Sequence, residues 1–187
     1  MINKTEFKKI RKELEDFEVK REEVITQSRE IIRLSKQIIY SLHRNNIKEA
    51  TRYVKEIKFR VKKLPKEHYD VNFNKIAFQE YVEAIAYYEF FKNKKIPDRK
   101  YLRVSTEDYL LGLCDLTGEL VRKAVNSAIN KDYKQVFDIK ELVSDIYEEF
   151  LKFNLRNSEL RNKMDSIKWN LRKLEDLVLD IKVKNRK

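Results

Sequence analysis

Two glycines and two prolines in 187 residues leave this chain few places to turn sharply. Sheets need turn-forming residues at short intervals, so this scarcity dictates a small number of long elements. Leu, Lys, Glu, Arg and Ala are plentiful, and these residues favour helix. The chain therefore reads as all-α, an antiparallel bundle of about six helices in a single domain spanning residues 1–187. The first helix is predicted from about Thr5 to His43, with Ile25, Ile32, Ile39 and Leu42 at 3- and 7-residue steps, and Asn45-Asn46 breaks it. The second runs from about Ile47 to Leu64, where Pro65 stops the backbone ladder. A third covers Phe73 to Lys92, followed by a loop through Pro97 and Asp98. The fourth starts at Ser105-Thr106-Glu107-Asp108, a capping box with Asp in place of Glu, and ends near Asn130. The last two cover about Ile139 to Phe153 and Ser158 to Val183, with a short basic tail at Lys182 to Lys187. No repeat, low-complexity tract or linker interrupts the series. A first helix this long cannot bury its whole apolar stripe in a small bundle, so its surplus is expected to pack on another copy of the chain.

The charge balance narrows the possible partners. Lys and Arg number 42 against 31 Asp and Glu, a net charge of +11. Such an excess attracts polyanions through phosphate neutralisation and counterion release. The single cysteine, Cys114, excludes an intrachain disulfide framework and a cysteine zinc cluster, in keeping with a reducing compartment. No apolar run approaches the ~20 residues of a membrane span. The opening MINKTEFKKI has no apolar signal region, so a cytoplasmic location is expected.

Four carboxylates occupy positions that ordinary patterning does not explain. At about 100° per residue, Glu80 and Glu83 share an arc of the third helix with Phe73, Ile76, Ala84, Tyr87 and Phe90, while Lys75, Gln79 and Glu89 lie elsewhere. Burying two like charges side by side is unfavourable unless a divalent cation or basic partners offset it. On the fourth helix, Asp115 and Glu119 are i, i+4 neighbours in a narrow stripe with Asp108, Arg122 and Asn126, opposite a broad apolar arc. Gly112 and Gly118 interrupt that helix, each at roughly 1 kcal/mol relative to alanine, which suggests a close backbone or ligand at both. Two acidic pairs on facing helices would supply oxygen ligands for Mg²⁺ or Mn²⁺. Lysine partners for Glu80, and a solvated stripe for Asp115 and Glu119, are the alternative reading of the same pattern.

The segments Phe78-Gln79-Glu80-Tyr81-Val82-Glu83-Ala84 and Asp108-Tyr109-Leu110-Leu111-Gly112-Leu113-Cys114-Asp115-Leu116-Thr117-Gly118-Glu119-Leu120 resemble the two signature segments of the translin/Trax family. Ser41-Leu42-His43-Arg44-Asn45 adds a weaker likeness, and the whole spans most of the chain from about Arg21. The acidic positions are similar to the Trax-like branch, whose members use such residues to bind a divalent metal and cleave single-stranded RNA. The resemblance implies that Glu80, Glu83, Asp115 and Glu119 are both metal ligands and catalytic residues. It also implies a hollow homo-oligomeric shell, octameric by analogy, with the acids inside. The long insertion that the eukaryotic Trax branch carries before "DYLLG" is absent here. Translin-like members bind single-stranded RNA or DNA without cutting it, and this is the competing expectation. A purely structural scaffold is a third, disfavoured by acids on an apolar arc.

Arg21, Arg29, Lys36 and Arg44 recur at 7- and 8-residue steps along the first helix and are the expected nucleic-acid contacts. The alternative is a solvated face paired with Glu22, Glu30 and Glu56. His43 and His68 are the only histidines, and His43 reads as a satisfied structural residue. Cys114 reads as a small core residue and Trp169 as a packing or subunit-contact residue. No Gly-rich phosphate loop, Ser-His-Asp set or zinc spacing is present.

Overall fold

The computed structural model describes residues 2–64, 73–156 and 159–184. Pro65 and His68, the Ser158 start of the last helix and the end of the basic tail lie outside them, as does the side chain of Phe73. Helices account for nearly all described residues: α1 (Lys4–His43), α2 (Ile47–Lys63), α3 (Phe73–Asn93), α4 (Arg99–Leu102), α5 (Thr106–Ile129), α6 (Tyr133–Leu151) and α7 (Glu159–Lys184). No described helix is long and apolar enough to cross a membrane.

The ends follow from capping chemistry. Asn45 takes a left-handed conformation (φ 59°), and Asn46 accepts from the Glu49 amide at 3.1 Å, so Asn45-Asn46 ends α1 and starts α2. Ser105 Oγ accepts from the Asp108 amide at 3.0 Å and donates to Asp108 Oδ2 at 2.7 Å. The reciprocal partner in this shortened box is thus the Ser hydroxyl, because the Asp side chain is one methylene shorter than Glu.

Two expectations need correction. The loop through Pro97 and Asp98 contains the one-turn α4, because Asp98 Oδ1 accepts from the Tyr101 amide at 2.7 Å. The fifth expected helix begins at Tyr133, not Ile139. Lys131 makes a left-handed turn (φ 61°), and Asp132 immediately caps the Gln135 amide at 3.2 Å. The described helices number seven in consequence.

In the bundle, α3 packs between α1 and α5, α2 covers α1, and α6 and α7 cover α5. The seam joins Ile31, Leu34 and Ile38 of α1, Val82 and Ile85 of α3 and Leu116 and Leu120 of α5, all buried. Because α3 is enclosed on several sides, its wheel does not sort cleanly. Ile76, placed on the apolar arc, is exposed, and Gln79, placed off it, is buried. Asp108, placed in the narrow stripe opposite the apolar arc of α5, is buried too.

The α3–α5 contact explains one glycine and not the other. A Cβ at Gly112 would meet the Gln79 carbonyl and Val82 Cβ, both at 2.7 Å. At Gly118 the nearest atom is Asn170 Nδ2 at 3.9 Å, an ordinary contact. Gly112→Ala should therefore destabilise the fold by about 2 kcal/mol through overpacking. Gly118→Ala should stabilise it by up to about 1 kcal/mol through helix propensity. Urea unfolding of both variants should give shifts of opposite sign.

Candidate metal and nucleic-acid site

Glu80 and Glu83 project from α3 and Asp115 and Glu119 from α5, and all four line one cavity of about 820 Å³. Helix α1 closes the third side with Arg33, Lys36 and Tyr40, and Arg122 of α5 completes the rim. The close α3–α5 approach at Gly112 brings the two acidic helices together, since Gly112 stands one turn from Asp115 and Val82 adjoins Glu83.

The four acids are not equivalent. Glu83 is only 8% exposed. Burial, then the negative charges of Glu80, Asp115 and Glu119, push its carboxyl up to about 9. Glu80 is raised by burial as well, with Asp115 and Glu119 adding to it and Lys36 and Lys163 opposing. Among the described residues, neither Glu80 nor Glu83 has a hydrogen-bond or ion-pair partner. Asp115 and Glu119 do. Lys163 of α7 donates to Asp115 Oδ2 at 2.6 Å. His43 Nε2 lies 2.5 Å from Glu119 Oε2, and Arg122 is 3.8 Å from the same oxygen. The His43 hydrogen bond, more than its charge, outweighs burial and holds Glu119 below the usual carboxylate range.

His43 is fixed on both ring nitrogens, with Nδ1 3.3 Å from the Tyr87 hydroxyl and the two rings 5.4 Å apart. Below it, buried Lys123 donates to the carbonyls of Leu42 and His43 and to Asn45 Oδ1. This closes the C-terminal turn of α1 at the wall of the cavity.

An all-oxygen donor set suits a hard divalent cation, and Glu80 and Glu83, without ion-pair partners among the described residues, are held toward their protonated forms by burial and by the neighbouring acids, a cost that a bound cation would relieve. As the side chains stand, no group of three or more Asp, Glu, His or Cys among the described residues forms a ready-made cation site. The acids share a cavity, with Asp115 and Glu119 each turned to a basic or imidazole partner.

Of the four expected nucleic-acid contacts, Lys36 lines this cavity. Arg21 pairs with Glu18 at 3.1 Å, Arg29 is exposed, and Arg44 lies 4.5 Å over the ring of Tyr40. Arg33, held by Glu30 at 2.9 Å, and Arg122 are the other cations on the rim. Arg122 was visible as part of the acidic stripe. Lys163 gave no signal, because it reaches Asp115 from 48 residues away. Cys114 is buried, and burial pushes its thiol up to about 12, which fits a core residue. Trp169 is largely exposed on α7.

These features define a helical bundle with one cleft in which four acids face a rim of cations. The chain belongs to the translin family, whose model matches residues 19–185. Translin-associated protein X of Pongo abelii is 25% identical, over 95% of this chain and 78% of that protein. A chain from Methanocaldococcus jannaschii is 32% identical, over 78% and 68% respectively. Human translin is 35% identical over 89 residues, 47% of this chain. The match spans 39% of that translin's length. Among solved structures, apo-NeC3PO superposes with a TM-score of 0.86 at 30% identity, covering 92% of this chain and 95% of that one. The duplex-RNA complex of AfC3PO gives 0.82 at 27% identity, covering 96% and 97%.

Proposed function

We propose that this protein is a divalent-metal-dependent endoribonuclease acting on single-stranded RNA. The observation that carries the reading is the pair Glu80 and Glu83, half-buried and buried, with no ion-pair partner among the described residues, opposite Asp115 and Glu119 across one cavity. Glu80, Glu83, Asp115 and Glu119 would hold Mg²⁺ or Mn²⁺. Such an ion supplies charge stabilisation at a phosphodiester and acidifies a water. Lys36, Arg33 and Arg122 then contact flanking phosphates and set the strand against the acids. Lys163 and His43 limit repulsion among the carboxylates, and the His43 hydrogen bond favours the ionised form of Glu119.

RNA as the ligand is supported by the +11 charge and by the likeness to AfC3PO, solved with duplex RNA. Assembly into a homo-oligomeric shell, octameric by the family resemblance, is supported by large apolar side chains exposed on α5 and α7, among them Ile129, Trp169 and Leu179. Enclosure would favour flexible single strands over stiff duplexes. We place the protein in the cytoplasm, where the lone Cys114 stays reduced.

A second reading, non-catalytic binding of single-stranded RNA or DNA, is favoured by Asp115 and Glu119 already being satisfied by Lys163 and His43. One experiment separates the two. Purified protein is incubated with labelled single-stranded RNA in Mg²⁺, in Mn²⁺ and in chelator, with duplex RNA and single-stranded DNA as parallel probes. Internal cleavage of the single strand that disappears with chelator is the expected result. Salt-dependent binding without turnover in either metal selects the binding-only reading.

A further inference from the structure

Tyr40 lines the acid-bearing cavity and carries no charge to offer metal or phosphate. It is the only aromatic among the described residues on that lining. Tyr81, Tyr87, Tyr88 and Phe90 of α3 are packed into the core, and so are Ile38, Ile39 and Leu42 beside it on α1. Tyr40 stays 53% exposed, a flat apolar surface on the wall of a charged cleft.

The ring is held from one side. The guanidinium of Arg44, one turn further along α1, lies 4.5 Å from the ring centroid. Such a cation–π contact fixes the ring's orientation and reduces the ordering that a stacked ligand would otherwise require. Lys36 stands one turn before Tyr40, about 6 Å along the helix axis. Arg33 stands a further turn back, and both line the same cavity. This side of α1 thus runs cation, cation, ring, cation. Grooves that hold single-stranded nucleic acid combine these two elements, with charge following the backbone and rings taking the bases. In a duplex each internal base is already stacked on both faces, so a ring of this kind selects unpaired bases.

We propose that Tyr40 is a nucleobase subsite, taking one unpaired base of a single-stranded RNA on the ring surface that Arg44 leaves open. Lys36 holds the neighbouring phosphate, and the acids of α3 and α5 meet the backbone across the cavity. The subsite rests on the RNA reading of this cavity. It adds a preference for single strands that one side chain carries, independent of any shell.

Binding by the full chain in chelator, which removes divalent metal, tests it. The probes are a single-stranded RNA carrying 2-aminopurine, the same strand made abasic throughout, and the base-bearing strand in a duplex. The parent should bind the base-bearing strand about tenfold tighter than the abasic one, the size of one base–ring stack. It should also quench the 2-aminopurine emission as the base stacks. Tyr40→Trp should keep both effects. Tyr40→Leu should lose the preference and the quenching and leave duplex binding unchanged, with an unaltered melting temperature because the residue is exposed. A parent that binds both single strands equally would overturn the subsite and leave the RNA reading intact. So would a Tyr40→Leu protein that keeps the preference, or one that loses affinity for all three probes alike. A parent that binds none of the three would sink the RNA reading itself, and the subsite with it.

Discussion

Glu83→Gln should give a protein that folds more stably than its parent and no longer cuts RNA. The carboxyl rises from its ordinary 4.5 to about 9 in the fold, because it is buried among other acids. An acid whose folded value is raised binds its proton more tightly folded than unfolded. Stability is therefore undiminished below about pH 4.5 and declines as pH rises toward about 9, where the loss levels off. At pH 7 the loss is on the order of 3 kcal/mol. Glutamine, uncharged at every pH, removes it. The melting temperature at pH 7 should rise by roughly 6–10 °C for a chain of this size, and the gap from the parent should widen between pH 5 and pH 9. Cleavage should fall by about three orders of magnitude, comparable to or beyond loss of a single transition-state donor, while RNA binding through the cationic rim persists. Asp115→Asn should abolish cleavage too, but without the stability gain, because Asp115 is already paired with Lys163. A Glu83→Gln protein that melts lower at pH 8 and cleaves normally would refute both the electrostatic and the catalytic assignment.

Lys123→Met should be among the most damaging substitutions outside the apolar core, at about 3 kcal/mol. The ammonium is buried, and burial pulls its pKa down, yet it donates to Leu42 O at 3.1 Å, His43 O at 3.4 Å and Asn45 Oδ1 at 2.5 Å. Methionine fills the space but takes the ammonium from His43 O and Asn45 Oδ1 and leaves Leu42 O with the Asn45 amide, each lost partner costing roughly 1–3 kcal/mol if water cannot reach the acceptor. The damage should extend to the cleft, since the last turn of α1 carries His43 against Glu119. Hydrogen exchange at the C-terminal end of α1 should speed up selectively, alongside a lower urea midpoint. A loss under 1 kcal/mol would mean that water reaches these carbonyls and that Lys123 is not their essential donor.

The helices were readable because helix formation is local. A chain with so few turn residues has little alternative, and Asn45-Asn46 and Ser105 mark ends through side chains that bond their own backbone. What escaped was equally local but smaller: Asp98 and Asp132 each nucleate a turn that apolar periodicity does not register. The acids were visible because Glu80 and Glu83 interrupt an apolar arc, and the structure puts both on the same cavity as Asp115 and Glu119. Their partners were not, because Lys163 and His43 arrive from 48 and 76 residues away. Helix-wheel reasoning also failed on α3, where Gln79 is buried and Ile76 exposed, since a helix enclosed on several sides has no single solvent face. Of the basic stripe on α1, only Lys36 reaches the cavity, because a long rod turns its successive charges over different neighbours.

At Gly112 the backbone of α5 lies directly against the Gln79 carbonyl and the Val82 side chain of α3. Any side chain at position 112 would push the two helices apart, so the distance between the acidic pairs they carry depends on this one missing Cβ. The wall contributed by α1 is packed on α3 and tied to α5 by His43 on Glu119 and by the Lys123 ammonium on the carbonyls of Leu42 and His43. The spacing of the acids is therefore set by α3 and α5 alone, while the cations Arg33 and Lys36 reach the same cleft from a third helix.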